Sequence, residues 1–277
     1  MTTAADPPPV RVAALKMTSG PQLEANLDAA ARLLGEARAQ GARVAVLPEN
    51  FSFMGLRDSD KRAIAEADGD GTVQRFLSQQ ARELQLWIVG GTTPILTEQG
   101  GRVAAACLVY ADDGRRVARY DKMHLFDVAI PGREESYRES ANVAPGSRST
   151  LLPTPAGLLG LSVCYDMRFP ELYRQLSAAG AQWFAVPSAF TVPTGRAHWE
   201  PLLRARAIEN LSFVVAPGQW GRHASGRETY GDSLIVDYWG AVRARLPAGS
   251  GVITAEFDLA AQAETRRNFP ALAHRVL

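Results

Sequence analysis

A cysteine at the end of a short apolar run carries the strongest chemical signal in this chain. Cys164 lies in the segment GLSVCYDMRFP, residues 160–170, and a helix signal follows it directly. Pro170 suits the first turn of a helix and Gly180 is a typical stop, so a strand, a turn and a helix are predicted. At such a turn the neighbouring backbone N–H groups point at a developing oxyanion. Cysteine is the most nucleophilic side chain that needs no cofactor, which makes Cys164 a candidate nucleophile.

Two charged residues follow predicted strands in the same manner. Glu49 comes directly after the apolar strand predicted over 43–48, and Lys122 follows a predicted strand pair. Taken alone, a free cysteine is usually a small buried hydrophobic residue, and an isolated Glu or Lys is usually a solvated surface group. Glu49 departs from that expectation because it terminates an apolar strand, whereas Lys122 has weaker local support.

The segments LPENF (47–51), YDKMHLFD (120–127) and GLSVCYDMRFP (160–170) resemble the carbon–nitrogen hydrolases of the nitrilase superfamily. Members of that superfamily use a Glu–Lys–Cys triad, and the three motifs occur here in the family's order. The resemblance extends from about residue 10 to about residue 275. It implies that Glu49 is the general base, Lys122 the cation and Cys164 the nucleophile. It also implies an α/β fold, a four-layer αββα sandwich in a single domain, and a homodimer or higher homo-oligomer.

Hydrolysis of an unactivated amide sets three tasks for such a triad. A carboxylate with a raised pKa must take the thiol proton and return it to the departing nitrogen, a role that suits Glu49. A cation and a donor must stabilise the oxyanion, for which we expect Lys122 and the backbone N–H of Tyr165. Attack by the thiol gives a thioester that water then cleaves, so neither a metal nor an organic cofactor is required.

A second glutamate commonly assists in this family, in the loop that follows the lysine. The stretch 130–140 resembles that loop, and Glu139 is its best match. Glu134 and Glu135 are competing candidates, and a solvated acidic residue in a loop is the alternative interpretation. We expect Glu139 to position Lys122.

Histidine is the alternative base, and the chain has four candidates: His124, His198, His223 and His274. His124 and His198 are expected to line the pocket, but neither has the sequence context of a papain-like Cys–His pair. The histidines and cysteines also lack the spacing of a metal site.

The residues after the nucleophile are expected to select the substrate. Arg168 matches an arginine that holds a substrate carboxylate in carbamoylase-like relatives, and a planar guanidinium can form two parallel hydrogen bonds to a carboxylate. The alternative is a salt bridge to Glu171 or Asp166.

Segments between 187 and 231 resemble the deaminated-glutathione amidase branch of the superfamily. That branch cleaves the former γ-glutamyl amide of deaminated glutathione and releases 2-oxoglutarate and cysteinylglycine. The resemblance implies a small anionic amide substrate. The candidate substrate-binding residues are Tyr165, Arg168, Phe190, His198, Arg222 and Arg227. Two positions depart from the branch pattern, because Asp232 replaces a histidine and Tyr238 replaces a proline.

Two rival functions remain open on the sequence. An omega-amidase acting on 2-oxo acid monoamides is the nearest alternative, and a pocket too short for cysteinylglycine would favour it. A catalytically silent scaffold or binding member is the alternative from another class, although all three triad residues are present.

Strand-like and helix-like runs alternate along the chain and must position these residues. An apolar stripe predicts a helix through Leu23 and Ala37, a second helix is predicted over 72–84, and another from near His198 to about Asn210. The pattern predicts mixed sheets covered by helices. A doubly wound sheet fits that pattern equally well, and the family resemblance selects the αββα sandwich.

The composition limits the remaining possibilities. The chain has 277 residues, 46% of them apolar, and a net charge of +1, which argues against steering by nucleic acid or a membrane surface. No apolar run approaches the ~20 residues that span a bilayer. Residues 1–9 are predicted to be a disordered tail rather than a secretory signal, with the hydrolase domain over 10–277. Two cysteines give no disulfide framework, which fits a cytoplasmic location.

Overall fold

Two β-sheets packed face to face form the centre of the computed structural model, which describes residues 8–98, 100–130, 132 and 135–276. Residues 1–7 of the predicted tail and Glu134 lie outside the described residues. The helices are α1 (Leu23–Ala39), α2 (Thr72–Leu84), α3 (Pro170–Ala178), α4 (Val192–Asn210) and α5 (Leu259–Asn268). The strands are β1 (Val10–Lys16), β2 (Val44–Val46), β3 (Trp87–Val89), β4 (Thr93–Leu96), β5 (Val103–Tyr110), β6 (Arg116–Asp121), β7 (Asp127–Ala129), β8 (Ser136–Arg138), β9 (Val143–Ala144), β10 (Leu151–Thr154), β11 (Gly157–Leu161), β12 (Trp183–Ala185), β13 (Phe213–Ala216), β14 (Trp220–Arg222), β15 (Glu228–Tyr230), β16 (Ser233–Val236), β17 (Val242–Leu246) and β18 (Gly251–Phe257).

The two large sheets have related topologies. The first has the order β18-β1-β2-β3-β5-β4, and β6 and β9 also pair with β5. The second has the order β10-β11-β12-β13-β16-β17. Strands β1, β2 and β3 are parallel in the first sheet, as are β11, β12 and β13 in the second. Each sheet therefore has a parallel centre flanked by antiparallel strands.

Alternating side chains of the central strands explain the layering. In β2, Val44 and Val46 belong to the core between the sheets, whereas Ala45 packs on the opposite face with residues of α1 and α2. Because successive side chains of a strand point to opposite faces, an all-apolar strand can be buried on both sides. Helices α3 and α4 contact the second sheet. The layers are helix, sheet, sheet and helix. This order confirms the predicted αββα sandwich and excludes the alternative of a single doubly wound sheet.

The start of α4 differs from the sequence prediction. The helix begins at Val192, six residues before His198, so His198 lies within the helix rather than ahead of it. Pro193 occupies the first turn, where a missing N–H costs no hydrogen bond. Gly195 is helical here, and a Cβ at this position would lie 2.2 Å from the ring of Tyr230. Its small size thus serves close packing rather than a turn.

Helix α5 was not predicted, although its start carries a recognisable signal. The carboxylate of Asp258 accepts a hydrogen bond from the Ala261 N–H at 2.9 Å, which is a regular N-cap. Gln262 then donates to the carbonyls of Gln182 and Leu211, which lie just before β12 and β13. The helix therefore covers the end of the second sheet at which these parallel strands begin. Among the described helices, none combines the length and the apolar character needed to cross a membrane.

The opposite end of the sandwich collects the residues of chemical interest. Glu49 lies just beyond β2, Lys122 directly follows β6, and Cys164 follows β11. In open α/β sheets, ligands bind outside the carboxyl ends of the strands. Gly91, shortly after β3, packs against this end with a φ of +51°, and a Cβ on it would lie 2.0 Å from the carbonyl oxygen of Pro48.

We expect Gly91→Ala to destabilise the protein and to displace the strand end that carries Glu49. Gly249→Ala is the matched control, because Gly249 also has a positive φ (+76°) but has open space around its Cα. Both substitutions incur the cost of a left-handed backbone, and only Gly91→Ala adds a steric clash. Urea unfolding should show an additional loss of about 1–3 kcal/mol for Gly91→Ala. Equal losses for the two variants would contradict this account.

Candidate active site

The four residues predicted to be catalytic meet in one cavity. Lys122 Nζ donates to Glu49 Oε1 at 2.8 Å and to both oxygens of Glu139 at 2.9 and 3.0 Å. Cys164 lines the same cavity as these three residues. Lys122 is 1% exposed, Glu49 4% and Cys164 7%, so the ammonium, one carboxylate and the thiol are shielded from bulk water.

Glu49 is held in place through the peptide group that links it to Asn50. Its carbonyl oxygen accepts a hydrogen bond from Gln219 Nε2 at 3.0 Å. The next residue, Asn50, has a left-handed φ of +57°, and its N–H donates to Thr92 Oγ1 at 2.8 Å. Strained backbone persists only where its surroundings over-determine it, and it clusters at functional sites. The end of β2 is therefore rigidly placed at the cavity.

Cys164 occupies a second strained position. Its φ is +51°, and it begins a 3₁₀ turn, Cys164–Arg168, that joins β11 to α3. A left-handed conformation costs a residue with a Cβ about 1–2 kcal/mol. This strand–turn–helix geometry agrees with the arrangement expected from the sequence and presents the thiol at the end of the sheet.

Glu139 holds Lys122 and also holds the loop that connects Lys122 to Glu139. Its Oε2 also accepts a hydrogen bond from the Phe126 N–H at 2.7 Å. Burial alone would lower the pKa of Lys122, but the charges of Glu139 and Glu49 outweigh it and hold that pKa well above its usual value. Burial acts to raise the pKa of Glu139, and the ammonium of Lys122 reverses this, so the pKa is lowered. The competing Glu135 instead hydrogen-bonds to the Tyr137 hydroxyl.

The pKa of the Cys164 thiol lies above its ordinary value. Burial raises its pKa, the negative charge of Glu49 raises it further, and the charge of Lys122 only partly opposes them. Since the thiolate is the nucleophilic form, attack requires a base that removes the proton as the bond to carbon forms. Glu49 is the carboxylate in position to do so.

Asp166 is a site residue that the sequence reasoning considered only as a salt-bridge partner for Arg168. It is fully buried and joins the nucleophile turn to the lysine segment. Its oxygens accept hydrogen bonds from the Val163 N–H at 2.8 Å and the Tyr120 hydroxyl at 2.7 Å. They also contact His124, through its N–H at 3.0 Å and its Nδ1 at 2.7 Å. The signal in the sequence was an acidic residue in the first turn after the nucleophile.

The histidines have other roles than the base considered from the sequence. His124 stacks on Phe169 with 3.7 Å between ring centroids and does not line the cavity. His223 is buried between the carbonyl of Ser19 and Thr229 Oγ1, and burial lowers its pKa. His198 and His274 are exposed. The structure thus brings Glu49, rather than an imidazole, to the thiol.

The cavity holds about 580 Å³ of space between atoms, including its opening to solvent. Its walls are aromatic on one side and polar on the other. The aromatic residues are Phe126, Tyr137, Tyr165 and Phe190, and the polar ones beyond the catalytic residues include Asn50, Asp58, Lys61, Asn142, Thr191, Thr194 and Arg227. Of the predicted substrate-binding residues, Tyr165, Phe190 and Arg227 line it directly.

Arg168 lies behind the aromatic wall. Its guanidinium carbon is 5.7 Å from the ring centroid of Tyr165 and 5.5 Å from that of Phe190. Its Nη1 is 3.2 Å from Nδ1 of the exposed His198, and neither residue lines the cavity directly. The ion pairs of the described residues include none between Arg168 and either Glu171 or Asp166, so the alternative weighed from the sequence is not formed.

Arg222 does not reach the cavity. It is exposed on β14 and borders a separate surface depression with Asp232 and Arg245. Asp232, the first departure from the branch pattern, pairs through both oxygens with Arg245 at 2.8 Å. Tyr238, the second departure, packs edge-on against Phe213. Both departures therefore form contacts outside the catalytic cavity.

Comparisons with known proteins agree with this geometry. The sequence profile of the family described as Carbon-nitrogen hydrolase matches residues 11–267. A deaminated glutathione amidase from Synechocystis sp. is 42% identical over 271 residues, covering 97% of this chain and 98% of the relative. The deaminated glutathione amidase of Homo sapiens is 41% identical over 267 residues, covering 95% of this chain and 81% of the relative. The crystal structure of the Caenorhabditis elegans NitFhit protein superposes with a TM-score of 0.91 at 37% identity, covering 98% of this chain and 66% of that one.

We expect Asp166→Asn to impair catalysis by loosening the link between Lys122 and Cys164. The new side-chain amide would place N–H donors opposite groups that are themselves donors, so the free energy of unfolding should fall by about 2–3 kcal/mol. Tyr120→Phe removes one of the four contacts of Asp166 and should lower the free energy of unfolding by about 1 kcal/mol. The rate at which iodoacetamide alkylates Cys164 should differ measurably from the wild-type rate in Asp166→Asn and should stay near it in Tyr120→Phe. An unchanged alkylation rate in both variants would show that Asp166 does not position the thiol.

The ion pair of Glu139 should make stability depend on pH in the acid range. Because its pKa is lower in the folded protein than its ordinary 4.5, its stabilising contribution is complete above about pH 4.5 and is lost as pH falls through the folded-state pKa. Glu139→Gln should be less stable than wild type by about 3 kcal/mol at pH 7, and that gap should narrow below pH 4.5. Glu264→Gln, an exposed control on α5, should follow wild type. A gap that stays constant from pH 7 to pH 3 would refute this assignment.

Proposed function

The chain belongs to the carbon–nitrogen hydrolase family and acts on amide C–N bonds, and from this premise we propose that its substrate is deaminated glutathione. The reaction cleaves the former γ-glutamyl amide and releases 2-oxoglutarate and cysteinylglycine. The observation that carries the proposal is the buried contact of Lys122 with Glu49 inside the cavity that Cys164 also lines. Relatives that bear the name of this activity match the chain over nearly its full length.

In the first half of the proposed reaction, Glu49 accepts the proton of the Cys164 thiol while sulfur attacks the amide carbon. The carbonyl oxygen becomes an oxyanion, which the Lys122 ammonium and a backbone N–H at the Cys164 turn stabilise. Collapse of this intermediate breaks the C–N bond, and Glu49 gives its proton to the departing nitrogen. The products of this half are a thioester on Cys164 and a free amine.

In the second half, water enters where the amine has left. Glu49 takes a proton from that water, whose oxygen attacks the thioester carbon. The C–S bond then breaks, the carboxylic acid departs, and sulfur regains a proton. One carboxylate serves as base in both halves, and Glu139 keeps Lys122 charged and aligned as a positioning residue.

We assign the 2-oxo acid end of the substrate to the part of the cavity that Tyr165 and Phe190 line. The Arg168 guanidinium, which packs on both of these rings, adds positive charge that favours a carboxylate there. Tyr165 and Phe190 would then contact the short aliphatic part of the acyl group. An omega-amidase acting on 2-oxo acid monoamides would use the same acyl site, so the two functions differ only in the leaving group.

We also propose that two copies of the chain associate, in the cytoplasm. Exposed apolar side chains support association: Trp239 and Phe269 have ring centroids 5.5 Å apart, and Ile208 packs against Gly240 beside them. Trp239 is 59% exposed and Ile208 48%. A cluster of this kind is more often covered by a partner than left in water.

Turnover of a substrate panel by wild type and by Cys164→Ala tests the proposed function. The panel contains deaminated glutathione, 2-oxoglutaramate and an N-carbamoyl acid, with 2-oxoglutarate and ammonia as readouts. Wild type should have its highest kcat/KM on deaminated glutathione, and Cys164→Ala should retain no measurable turnover. Equal turnover by the two proteins would remove Cys164 from the mechanism. A preference for 2-oxoglutaramate would instead identify an omega-amidase.

A further inference from the structure

The catalytic cavity adjoins a second one that the triad does not occupy. This second cavity holds about 340 Å³ of space between atoms, including its opening to solvent, and is lined by residues 54–57 and Ser225 in addition to residues shared with the first. The shared wall consists of Asn50, Asp58, Lys61 and Arg227. The two spaces, which adjoin at these four side chains, are together called the groove.

Two cations, Lys61 and Arg227, lie on the shared wall. Neither takes part in an ion pair among the described residues, whereas Arg57, further along the groove, pairs with Asp60. Asp58 is the carboxylate of the shared wall, and Glu139 of the catalytic cavity is close enough for the charge of Lys61 to lower its pKa. An anionic group that enters the second cavity would therefore meet more positive than negative side chains on its wall, in a partly dehydrated space.

Arg227 supplies a second observation that points to a ligand. Its guanidinium carbon is 5.0 Å from the ring centroid of Tyr137, and Nη2 donates to the Ala189 carbonyl at 2.9 Å. These contacts hold the side chain in one orientation. Its Nε is nevertheless buried without a hydrogen-bond partner among the described residues. Buried donors in native structures nearly always have a partner, and this unsatisfied donor belongs to a residue that lines both cavities.

The position of Glu49 determines which end of the substrate enters the groove. The leaving nitrogen must lie beside Glu49, since it receives its proton from that carboxylate. Asn50, the next residue in the chain, lines both cavities. We orient the leaving group from Glu49 past Asn50 toward the wall that both cavities share. Ammonia would leave this groove unused, whereas a dipeptide has the length to enter it.

We propose that Lys61 and Arg227 form a leaving-group subsite that binds the terminal carboxylate of a peptide-like amine. Lys61 gives a positive charge on a flexible side chain, and Arg227 gives an oriented donor, on the wall that both cavities share. Asp58 can accept a hydrogen bond from the peptide N–H of the same leaving group. This inference deepens the proposed function and depends on it, because it specifies how cysteinylglycine is distinguished from smaller amines.

The test compares two substrates that differ only at the carboxylate in question. Deaminated glutathione and its C-terminal carboxamide share the acyl group and the scissile bond, so their kcat/KM ratio isolates recognition of the terminal charge. Wild type should prefer the free acid by about tenfold or more, as expected for a hydrogen-bonded charge pair. Lys61→Gln should lower kcat/KM on the acid by about tenfold and change it on the carboxamide by less than about twofold.

Two further variants control for charge and folding. Arg62→Gln removes a positive charge from the next residue of the same 3₁₀ turn, but Arg62 lines neither cavity, so the acid-to-carboxamide ratio should remain that of wild type. Lys61→Arg should keep the preference for the acid. Turnover of the carboxamide reports in each variant that the catalytic site is intact.

The outcomes separate this inference from the function on which it depends. If wild type hydrolyses both substrates equally well, or if Lys61→Gln loses the same factor on both, the subsite is refuted while the amidase activity stands. If Arg62→Gln lowers the acid-to-carboxamide ratio of kcat/KM as much as Lys61→Gln does, general surface charge rather than a subsite attracts the substrate. If wild type hydrolyses neither compound but cleaves 2-oxoglutaramate, the proposed function itself is wrong.

Discussion

A buried ammonium group between two carboxylates is the interaction on which the rest of the active site depends. Lys122 cannot be buried as a charged group without Glu49 and Glu139, and removing one partner of such a pair typically costs about 3–5 kcal/mol. The three residues come from segments separated by 73 and 17 positions in the chain. Their contact therefore requires the first sheet and the loop after β6 to be correctly assembled. Burial, reinforced by the charge of Glu49 and partly opposed by that of Lys122, raises the pKa of the Cys164 thiol.

The sandwich brings these segments together at one end because its central strands are parallel. Parallel strands place their carboxyl ends on one side, so the chain leaves β2 at Glu49 and β11 at the turn of Cys164, on the same edge of the two packed sheets. Left-handed backbone at Asn50 and Cys164 then turns the chain across the cavity. The strain at these positions is balanced by dense packing, of which the contact between Gly91 and Pro48 is one example.

Around the triad, some polar side chains hold the site rigid, and others are free to contact a substrate. Asp166 ties the nucleophile turn to the segment that precedes and follows Lys122, and its four hydrogen bonds are all internal to the protein. Arg168, Lys61 and Arg227 differ in this respect, since the ion pairs of the described residues include none of them. The catalytic residues are therefore held by contacts within the protein, whereas Lys61 and Arg227 line the cavity without an ion pair among the described residues.

Local sequence signals were sufficient to predict the nucleophile turn, helices α1 and α2, and the position of Glu49 after a buried strand, because each of these features depends on neighbouring residues. The family resemblance supplied Lys122, Glu139 and the αββα layering, which no local pattern distinguishes from a doubly wound sheet. Long-range contacts decided the remainder. Gly195 is helical because it packs against Tyr230, Glu139 rather than Glu135 meets Lys122, and Arg222 faces away from the cavity while Lys61 lines it. Such choices depend on which distant surfaces meet, and the spacing of residues along the chain does not contain that information.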